Sequence, residues 1–250
     1  MGYKDFPWFE QPENLDTAVW RYLDLSKFAA MLVDSDLYFA RADTLGDSFE
    51  GSYPVENRAR RAEPYKVLGL PKSEVDGLMA LHADRAEKWP RLVFVSCWTM
   101  RDWESAALWK LYSSVDRGVA VRSTLRRLRE SLTPYAVSDI AIGRVRYIDY
   151  DGDGVFAETN SLNPFLHKRR SFDFEYELRA LLLDMTELER PGEGPSGIKV
   201  PVKIADLAER FHVSPMAPVW FETLIRSLVD RFAPGIEVRK SAMGAREPVF

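Results

Sequence analysis

Cysteine and histidine are scarce in this chain of 250 residues. It holds a single cysteine, Cys97, and three histidines, His82, His167 and His212. One cysteine excludes an internal disulfide framework and suits a reducing compartment, so we expect a cytoplasmic protein. Three histidines scattered along the chain do not supply the ligand set of a zinc site, and we expect no metal cofactor.

Long apolar runs and a surplus of basic charge are absent as well. No stretch approaches the roughly 20 apolar residues that a membrane helix needs. Residues 1–16 are acidic and interrupted by prolines, which is not typical of a signal peptide. We therefore expect no membrane partner. The net charge is -4, from 34 basic and 38 acidic residues, so nucleic acid could bind only at a local basic patch.

The remaining composition, 46% hydrophobic and 29% charged, is that of an ordinary globular protein. Short β-type runs such as Leu92-Val93-Phe94-Val95 alternate with segments of helical period. The pattern predicts a single mixed α/β (α+β) domain over residues 1–250, with a central twisted, largely antiparallel sheet and surrounding helices. We expect residues 1–16 to form an N-terminal arm that packs on the body through Trp8 and Phe9. Residues 190–197 should form a surface loop.

Several element boundaries are predicted from local signals. Asp24 or Ser26 should cap a helix that runs to about Val33. Residues 140–148 should form one strand, and residues 204–210 a helix. The run 177–184 is predicted as a strand from its context, although its leucines also favour a helix.

Four polar motifs are set within or beside the predicted buried strands. They are Trp20-Arg21-Tyr22, Leu45-Gly46-Asp47-Ser48-Phe49-Glu50-Gly51, Val95-Ser96-Cys97-Trp98-Thr99, and Lys168 followed by Phe174-Glu175-Tyr176-Glu177-Leu178-Arg179. A charge buried against a strand costs free energy unless it is paired or used. The four motifs therefore outline one predicted site.

These motifs resemble a widespread bacterial family, domain of unknown function 2971. The resemblance extends over most of the chain, from the aromatic-Arg-Tyr start and the Asp-x-Phe-Glu-Gly turn to the segment that ends at Arg179. It implies membership of a family without a firmly assigned chemistry. An association with toxins and antiviral (phage-defence) effectors is implied by this resemblance alone.

The order of the motifs also resembles the Arg-Ser-Glu class of ADP-ribosyltransferases, which use NAD as substrate. Arg21, then Ser96 with Thr99, then Glu175 and Glu177 follow that order. The resemblance implies that Arg21 binds phosphate or ribose and that Ser96 braces the site. Glu177 would be the catalytic acid, and Glu175 would activate the acceptor or hold the ribose.

The chemistry of these residue types fits an NAD-splitting enzyme. An arginine can pair bidentately with the phosphates of a dinucleotide, and Tyr22, Tyr38 or Phe174 could stack on the nicotinamide. A carboxylate can stabilise the oxocarbenium-like transition state that forms as nicotinamide leaves. The prediction is an ADP-ribosyltransferase or an NAD glycohydrolase. In a transferase the partner would be a macromolecular acceptor, either protein or nucleic acid.

Two other functions remain open from the sequence. Asp47, Glu50, Glu175 and Glu177 could hold Mg²⁺ for phosphodiester cleavage, with Lys168 neutralising the phosphate and Arg179 as a further site residue. Alternatively, the charged cleft could only recognise a ligand or partner without any catalysis.

Purely structural roles are also open for these residues. Arg21 could form a buried ion pair with Glu50 or Glu177, while Glu175 points outward and Tyr176 packs inward. Trp109 and Tyr112 are most simply explained as core residues, and Cys97 as a small buried hydrophobe. The segment from Asp149 resembles the start of a calcium loop, but its twelfth position is Asn160 and not glutamate, so we expect a solvated turn.

Overall fold

The computed structural model describes residues 2–113, 116–152 and 160–244. Within these ranges the strands are β1 (Gly2–Tyr3), β2 (Ala18–Asp24), β3 (Asp36–Arg41), β4 (Val93–Met100), β5 (Gly118–Thr124), β6 (Asp139–Arg144), β7 (Arg146–Ile148), β8 (His167–Arg169), β9 (Glu177–Leu183), β10 (Gly197–Pro201), β11 (Arg210–Val213) and β12 (Glu237–Lys240). The helices are α1 (Leu25–Asp34), α2 (Val55–Arg60), α3 (Glu63–Val67), α4 (Lys72–Lys88), α5 (Ala106–Tyr112), α6 (Leu125–Leu132), α7 (Thr186–Glu189), α8 (Ile204–Leu207) and α9 (Val219–Phe232).

One open sheet of ten strands runs through the described residues. Its order is β1-β6-β9-β4-β2-β5-β11-β12, and β3 pairs with both β4 and β10. Every pairing in it is antiparallel except β1 with β6 and β11 with β12. The predicted mixed α/β class with a largely antiparallel central sheet is therefore confirmed. Strands β7 and β8 form a separate parallel pair.

Helices α1, α6 and α9 cover one face of the sheet. Their buried apolar residues form a single cluster with side chains from most of the sheet strands. Helix α1 begins where predicted, because the carboxylate of Asp24 accepts a hydrogen bond from the backbone N–H of Lys27 at 2.8 Å. On the other face, α5 packs Leu108 and Trp109 against Trp20 and Tyr22 of β2.

The sheet is split between β2 and β4, and this split positions the site. The two strands pair only at Val19 with Met100 and at Trp20 with Thr99. Further along the same edge of β4, β3 takes the place of β2 and pairs with Phe94 and Val95. On this edge, the stretch of β4 around Cys97 therefore borders an opening in the sheet, whereas its other edge pairs with β9.

Some predicted boundaries are wrong. Residues 140–148 do not form one strand. The chain leaves the main sheet after β6, where Val145 donates its N–H to the carbonyl of Glu177 at 2.9 Å. The helix predicted over 204–210 ends at Leu207, because Arg210 already begins β11. In the arm, Phe9 is buried but Trp8 is 60% exposed, so only one of the two aromatic side chains packs on the body.

The arm and the C-terminal part each contribute a strand that the sequence pattern did not reveal. Gly2 and Tyr3 pair with β6, and β12 pairs in parallel with β11. None of the described helices combines the length and the apolarity needed to cross a bilayer. In the predicted calcium-like turn, residues 153–159 lie outside the described residues.

Candidate functional site

A cavity of about 420 Å³ lies at the split between β2 and β4. This volume falls in the range of roughly 300–1,000 Å³ that is usual for small-molecule sites. Most of the predicted site residues line it: Arg21, Tyr22, Tyr38, Asp47, Glu50, Thr99, Lys168, Glu175, Glu177 and Arg179. Ser96 and Phe174 do not. The four motifs, which are far apart in the sequence, thus meet at one place.

The predicted Arg, Ser and Glu residues lie on three neighbouring strands. Arg21 is on β2, Ser96 on β4 and Glu177 at the start of β9, and the sheet order is β9-β4-β2. Thr99 is paired with Trp20 on one side and with Glu177 on the other. Since neighbouring strands lie about 4.8 Å apart, the backbones that carry the arginine and the glutamate are separated by roughly 10 Å at this level.

Arg21 bridges the split. Its strand neighbours at i±2, Val19 and Leu23, face the main core, and Arg21 can occupy the same face only because the sheet is open beside it. Its Nη1 donates to Ser96 Oγ at 2.7 Å, and its Nη2 donates to the carbonyl of Tyr38 at 2.8 Å. Burial lowers the pKa of Arg21, but arginine stays protonated at neutral pH.

The predicted ion pair between Arg21 and Glu50 or Glu177 does not form. Among the described residues, no carboxylate lies within ion-pair distance of the Arg21 guanidinium. Arg179 takes both acids instead: Nη1 and Nη2 contact the two carboxylate oxygens of Glu50 at 2.6 and 2.7 Å, and Nη2 contacts Glu177 Oε2 at 3.0 Å. Arg21 is therefore a partly buried cation with no carboxylate within ion-pair distance in the described part of the chain; the charge of Asp36 acts on it only from farther away.

Two carboxyl groups and one ammonium group form the acidic wall of the cavity. Lys168 Nζ lies 2.5 Å from Glu175 Oε2 and 3.5 Å from Glu177 Oε2. Burial, followed by the charge of Glu177, raises the pKa of Glu175, although Lys168 and the hydroxyl of Tyr112 act against this shift. Burial alone would also raise the pKa of Glu177. Here Arg179 and Lys168 outweigh it, and the pKa lies below its ordinary value.

The two glutamates are presented on the same side by an unusual backbone. Glu175 ends a 3-10 helix (Arg170–Glu175), and Tyr176 follows with φ 46° and ψ 52° in the left-handed region. This conformation is costly for a bulky residue. It places the Glu175 side chain in the interior and leaves Tyr176 52% exposed. The alternative in which Glu175 points outward and Tyr176 packs inward is therefore wrong.

The Asp47–Gly51 turn closes one side of the cavity. Asp47 Oδ1 pairs with Arg169 Nη2 at 2.7 Å and accepts the N–H of Phe49 at 3.1 Å. Gly51 has φ +73°, and a Cβ there would lie 2.6 Å from the ring of Phe165. The turn thus requires glycine at this position. The same turn places the carboxylate of Glu50 in contact with Arg179.

The aromatic residues predicted to stack on a ligand occupy different surroundings. Tyr22 is buried, packs edge-to-face on Trp109 at 5.0 Å, and accepts the N–H of Ser105 through its hydroxyl. Phe174 packs against the same aromatic cluster, away from the cavity. Tyr38 is 44% exposed and lines the cavity.

Tyr112, Phe172 and Cys97 line the cavity close to the predicted charged groups but were not predicted to be functional. Tyr112 is half-exposed, and its hydroxyl donates to Glu175 Oε1, so assigning it to the core is wrong, whereas Trp109 is a core residue. Phe172 lines the cavity with its ring 4.6 Å from Lys168 Nζ. Cys97 also lines it, and burial raises the pKa of its thiol well above the usual value, which does not favour a thiolate nucleophile.

For Tyr112, which ends α5, the only sequence signal was the hydroxyl group of a residue otherwise typical of a helix core. Phe172 and Phe174 are two residues apart. Strand alternation would place both rings on the same side of a strand, so it could not distinguish them. The 3-10 helix does, because its period of three residues turns the two rings to different sides.

Comparison with known proteins adds no assignment. No model of a protein family matches this chain, and no curated protein is similar to it. The resemblance to the domain of unknown function 2971 therefore remains a prediction from the motifs.

Proposed function

We propose that the protein splits the bond between nicotinamide and ribose in NAD, as an ADP-ribosyltransferase or an NAD glycohydrolase. The observation that carries the proposal is Arg21, a partly buried cation with no carboxylate within ion-pair distance in the described chain, which lines the same cavity as two glutamates. Such a cation is stabilised when an anionic group binds. A phosphate on a ligand whose sugar reaches the glutamates would supply that charge.

The difference between the two carboxyl groups supports the same chemistry. Neighbouring acids whose pKa values are moved in opposite directions are typical of an acid–base pair with divided roles. Glu177 stays ionised, and both of its cationic contacts are to Oε2. Its Oε1 makes no ion pair with the described residues and is the oxygen we assign to the ligand.

The proposed reaction breaks the C1′–N bond, and its electron pair leaves with nicotinamide. Glu177 stabilises the positive charge that develops on the ribose. Water or an acceptor hydroxyl then adds to C1′, and its proton passes to the ionised form of Glu175. Ser96 does not line the cavity; it positions Arg21 by accepting a hydrogen bond from its guanidinium. Thr99 donates a hydrogen bond to the carbonyl of Glu175 and so fixes the backbone there.

A metal-dependent phosphodiesterase is the less favoured alternative. Asp47 is paired with Arg169, Glu50 with Arg179, and Glu175 with Lys168. A divalent cation would have to displace these basic side chains from the oxygens it needs. Among the described residues, no group of three potential ligands is arranged for a metal ion.

The test is the release of free nicotinamide from NAD by purified protein. Glu175→Gln keeps the shape of the side chain, and Lys168 keeps its second carboxylate contact, to Glu177 at 3.5 Å, so the variant should still fold; its circular dichroism spectrum checks this. We expect Glu175→Gln and Glu177→Gln each to lower the rate by about 100-fold or more, as for other acid–base and electrostatic groups.

Arg126→Met is the matched control, because Arg126 is an exposed arginine paired with Asp16 outside the cavity. It should leave nicotinamide release unchanged. The proposal is wrong if the wild-type protein, folded and monodisperse, releases no nicotinamide from NAD with or without a candidate acceptor. Mg²⁺-dependent cleavage of nucleic acid that needs Asp47 would favour the alternative.

A further inference from the structure

Tyr38 is the aromatic side chain of the cavity that is best placed to meet a ligand beside Arg21. It is 44% exposed, and its own carbonyl accepts the hydrogen bond from Arg21 Nη2. Its ring makes no ring–ring or cation–π contact with another described residue, whereas Tyr22 packs on Trp109 and Phe172 lies under Lys168. A ligand phosphate on Arg21 would therefore lie beside the backbone of Tyr38, whose side chain lines the same cavity.

The ring of Tyr38 is held in place by Gly197 of the neighbouring strand. A Cβ on Gly197 would lie 2.0 Å from Tyr38 Oη and 2.1 Å from Cζ, so the outer end of the ring occupies the space that any larger residue would need. The hydroxyl donates to the carbonyl of Ser196 at 3.3 Å. Strands β3 and β10 are paired over five residues, which fixes the position of both backbones.

The order of these groups across the site gives a direction to the ligand. Arg21 contacts β3 on one side, at Tyr38, and β4 on the other, at Ser96. Strand β9, with Glu177, lies on the opposite edge of β4. A ring on Tyr38, a phosphate on Arg21 and a ribose at the glutamates are therefore arranged in sequence across the split.

From this arrangement we propose that Tyr38 is the stacking platform for the adenine ring, and that Gly197 is the positioning residue that sets it. The substrate class is then an adenine nucleotide, bound with its base against β3 and its phosphate at Arg21. This inference deepens the proposed function, on which it rests for the identity of the substrate. It adds Gly197, the first residue of β10, to the site.

The test compares AMP, which has the ring, with ribose 5-phosphate, which lacks it, by titration calorimetry. Stacking of a base on an aromatic side chain corresponds to roughly a 5- to 150-fold gain in affinity. We expect wild-type protein to bind AMP more tightly than ribose 5-phosphate by a factor in this range. Tyr38→Ala and Gly197→Ala should both remove that advantage and leave ribose 5-phosphate binding unchanged.

Gly77→Ala is the matched control, because the Cβ it would add meets no atom of the described residues within 4 Å apart from the backbone of its own helix, and Gly77 is on α4, outside the cavity. It should bind both probes like the wild type. Gly197→Ala should fold, since the atoms it displaces are the far end of a flexible side chain. Should it fail to fold, Tyr38→Ala alone decides, because its ring is half-exposed.

The inference is overturned if wild-type protein binds neither probe, or binds AMP no better than ribose 5-phosphate. It is equally overturned if Tyr38→Ala retains the full preference for AMP. The proposed function is tested separately by nicotinamide release. If the protein prefers AMP in a way that depends on Tyr38 but releases no nicotinamide, the stacking role of Tyr38 is supported and the proposed cleavage of NAD is wrong.

Discussion

Replacing Glu50 by glutamine should destabilise the protein strongly. Arg179 is fully buried, and its two terminal nitrogens contact the two oxygens of Glu50 at 2.6 and 2.7 Å. Removing one partner of a buried pair typically costs about 3–5 kcal/mol, because the other charge is left without compensation. Since Glu177 still contacts Arg179 at 3.0 Å, we expect a loss at the lower end, about 3 kcal/mol.

The loss can be measured by urea unfolding, followed by far-ultraviolet circular dichroism and tryptophan fluorescence. For a chain of this size, about 3 kcal/mol corresponds to a fall of roughly 6–12 °C in the melting temperature. The m-value should not change, because the mutation does not alter the surface exposed on unfolding.

Asp16→Asn is the matched control for this prediction. It removes the carboxylate of an exposed arginine pair, with Arg126 Nε 3.0 Å from Asp16 Oδ1, and should leave stability essentially unchanged because the pair is screened by solvent. If Glu50→Gln unfolds at the same urea concentration as the wild type, the buried network does not stabilise the fold in the way described here.

Two further predictions concern pH. Tyr112→Phe removes a hydrogen bond that holds the pKa of Glu175 down, so this pKa should rise further and the acid limb of kcat/KM for NAD cleavage should move to higher pH; an unshifted profile would show that the hydroxyl does not contact Glu175 in solution. Glu177 has a pKa below its ordinary value of 4.5 in the folded protein, so its ionised form stabilises the fold above that pH and the contribution is lost as the pH falls through the lowered pKa. The free energy of unfolding of Glu177→Gln should therefore fall less between about pH 5 and pH 3 than that of the wild type, and an equal fall would contradict the assignment.

Most of the main sheet could be predicted because its strands have local signals. The run Leu92–Val95 is buried on both faces, and Asp24 caps the helix that follows β2. Strand β9 was also predicted, from its context and against the helix propensity of its leucines. Its leucine-rich end is a strand because it pairs with β4 and β6 on both sides.

The missed elements depend on partners that are distant in the sequence. Gly2 and Tyr3 form a strand only because β6 offers an open edge, and β12 only because β11 does so. Arg210 ends the predicted helix because it pairs with Arg122 of β5. Such pairings override local propensity, which is weak for segments this short.

The sequence predicted which residues lie in the site better than it predicted which of their side chains contact one another. The motifs identified the charged residues, because charges beside buried strands must be paired or used. Which acid pairs with which arginine could not be predicted, since it depends on the split between β2 and β4. Because of that split, Glu50 and Glu177 form ion pairs with Arg179, and neither of them pairs with Arg21.

The central claim is that Arg21 binds the phosphate of a nucleotide in the cavity, and titration calorimetry with NAD tests it most directly. The wild-type protein should bind NAD, and Arg126→Met should bind it equally well. Because a hydrogen bond to a charged group typically contributes about 1.5–3 kcal/mol, Arg21→Met should bind roughly 10- to 150-fold more weakly. A wild-type protein that binds no NAD, or an Arg21→Met variant that binds it like the wild type, would contradict the account.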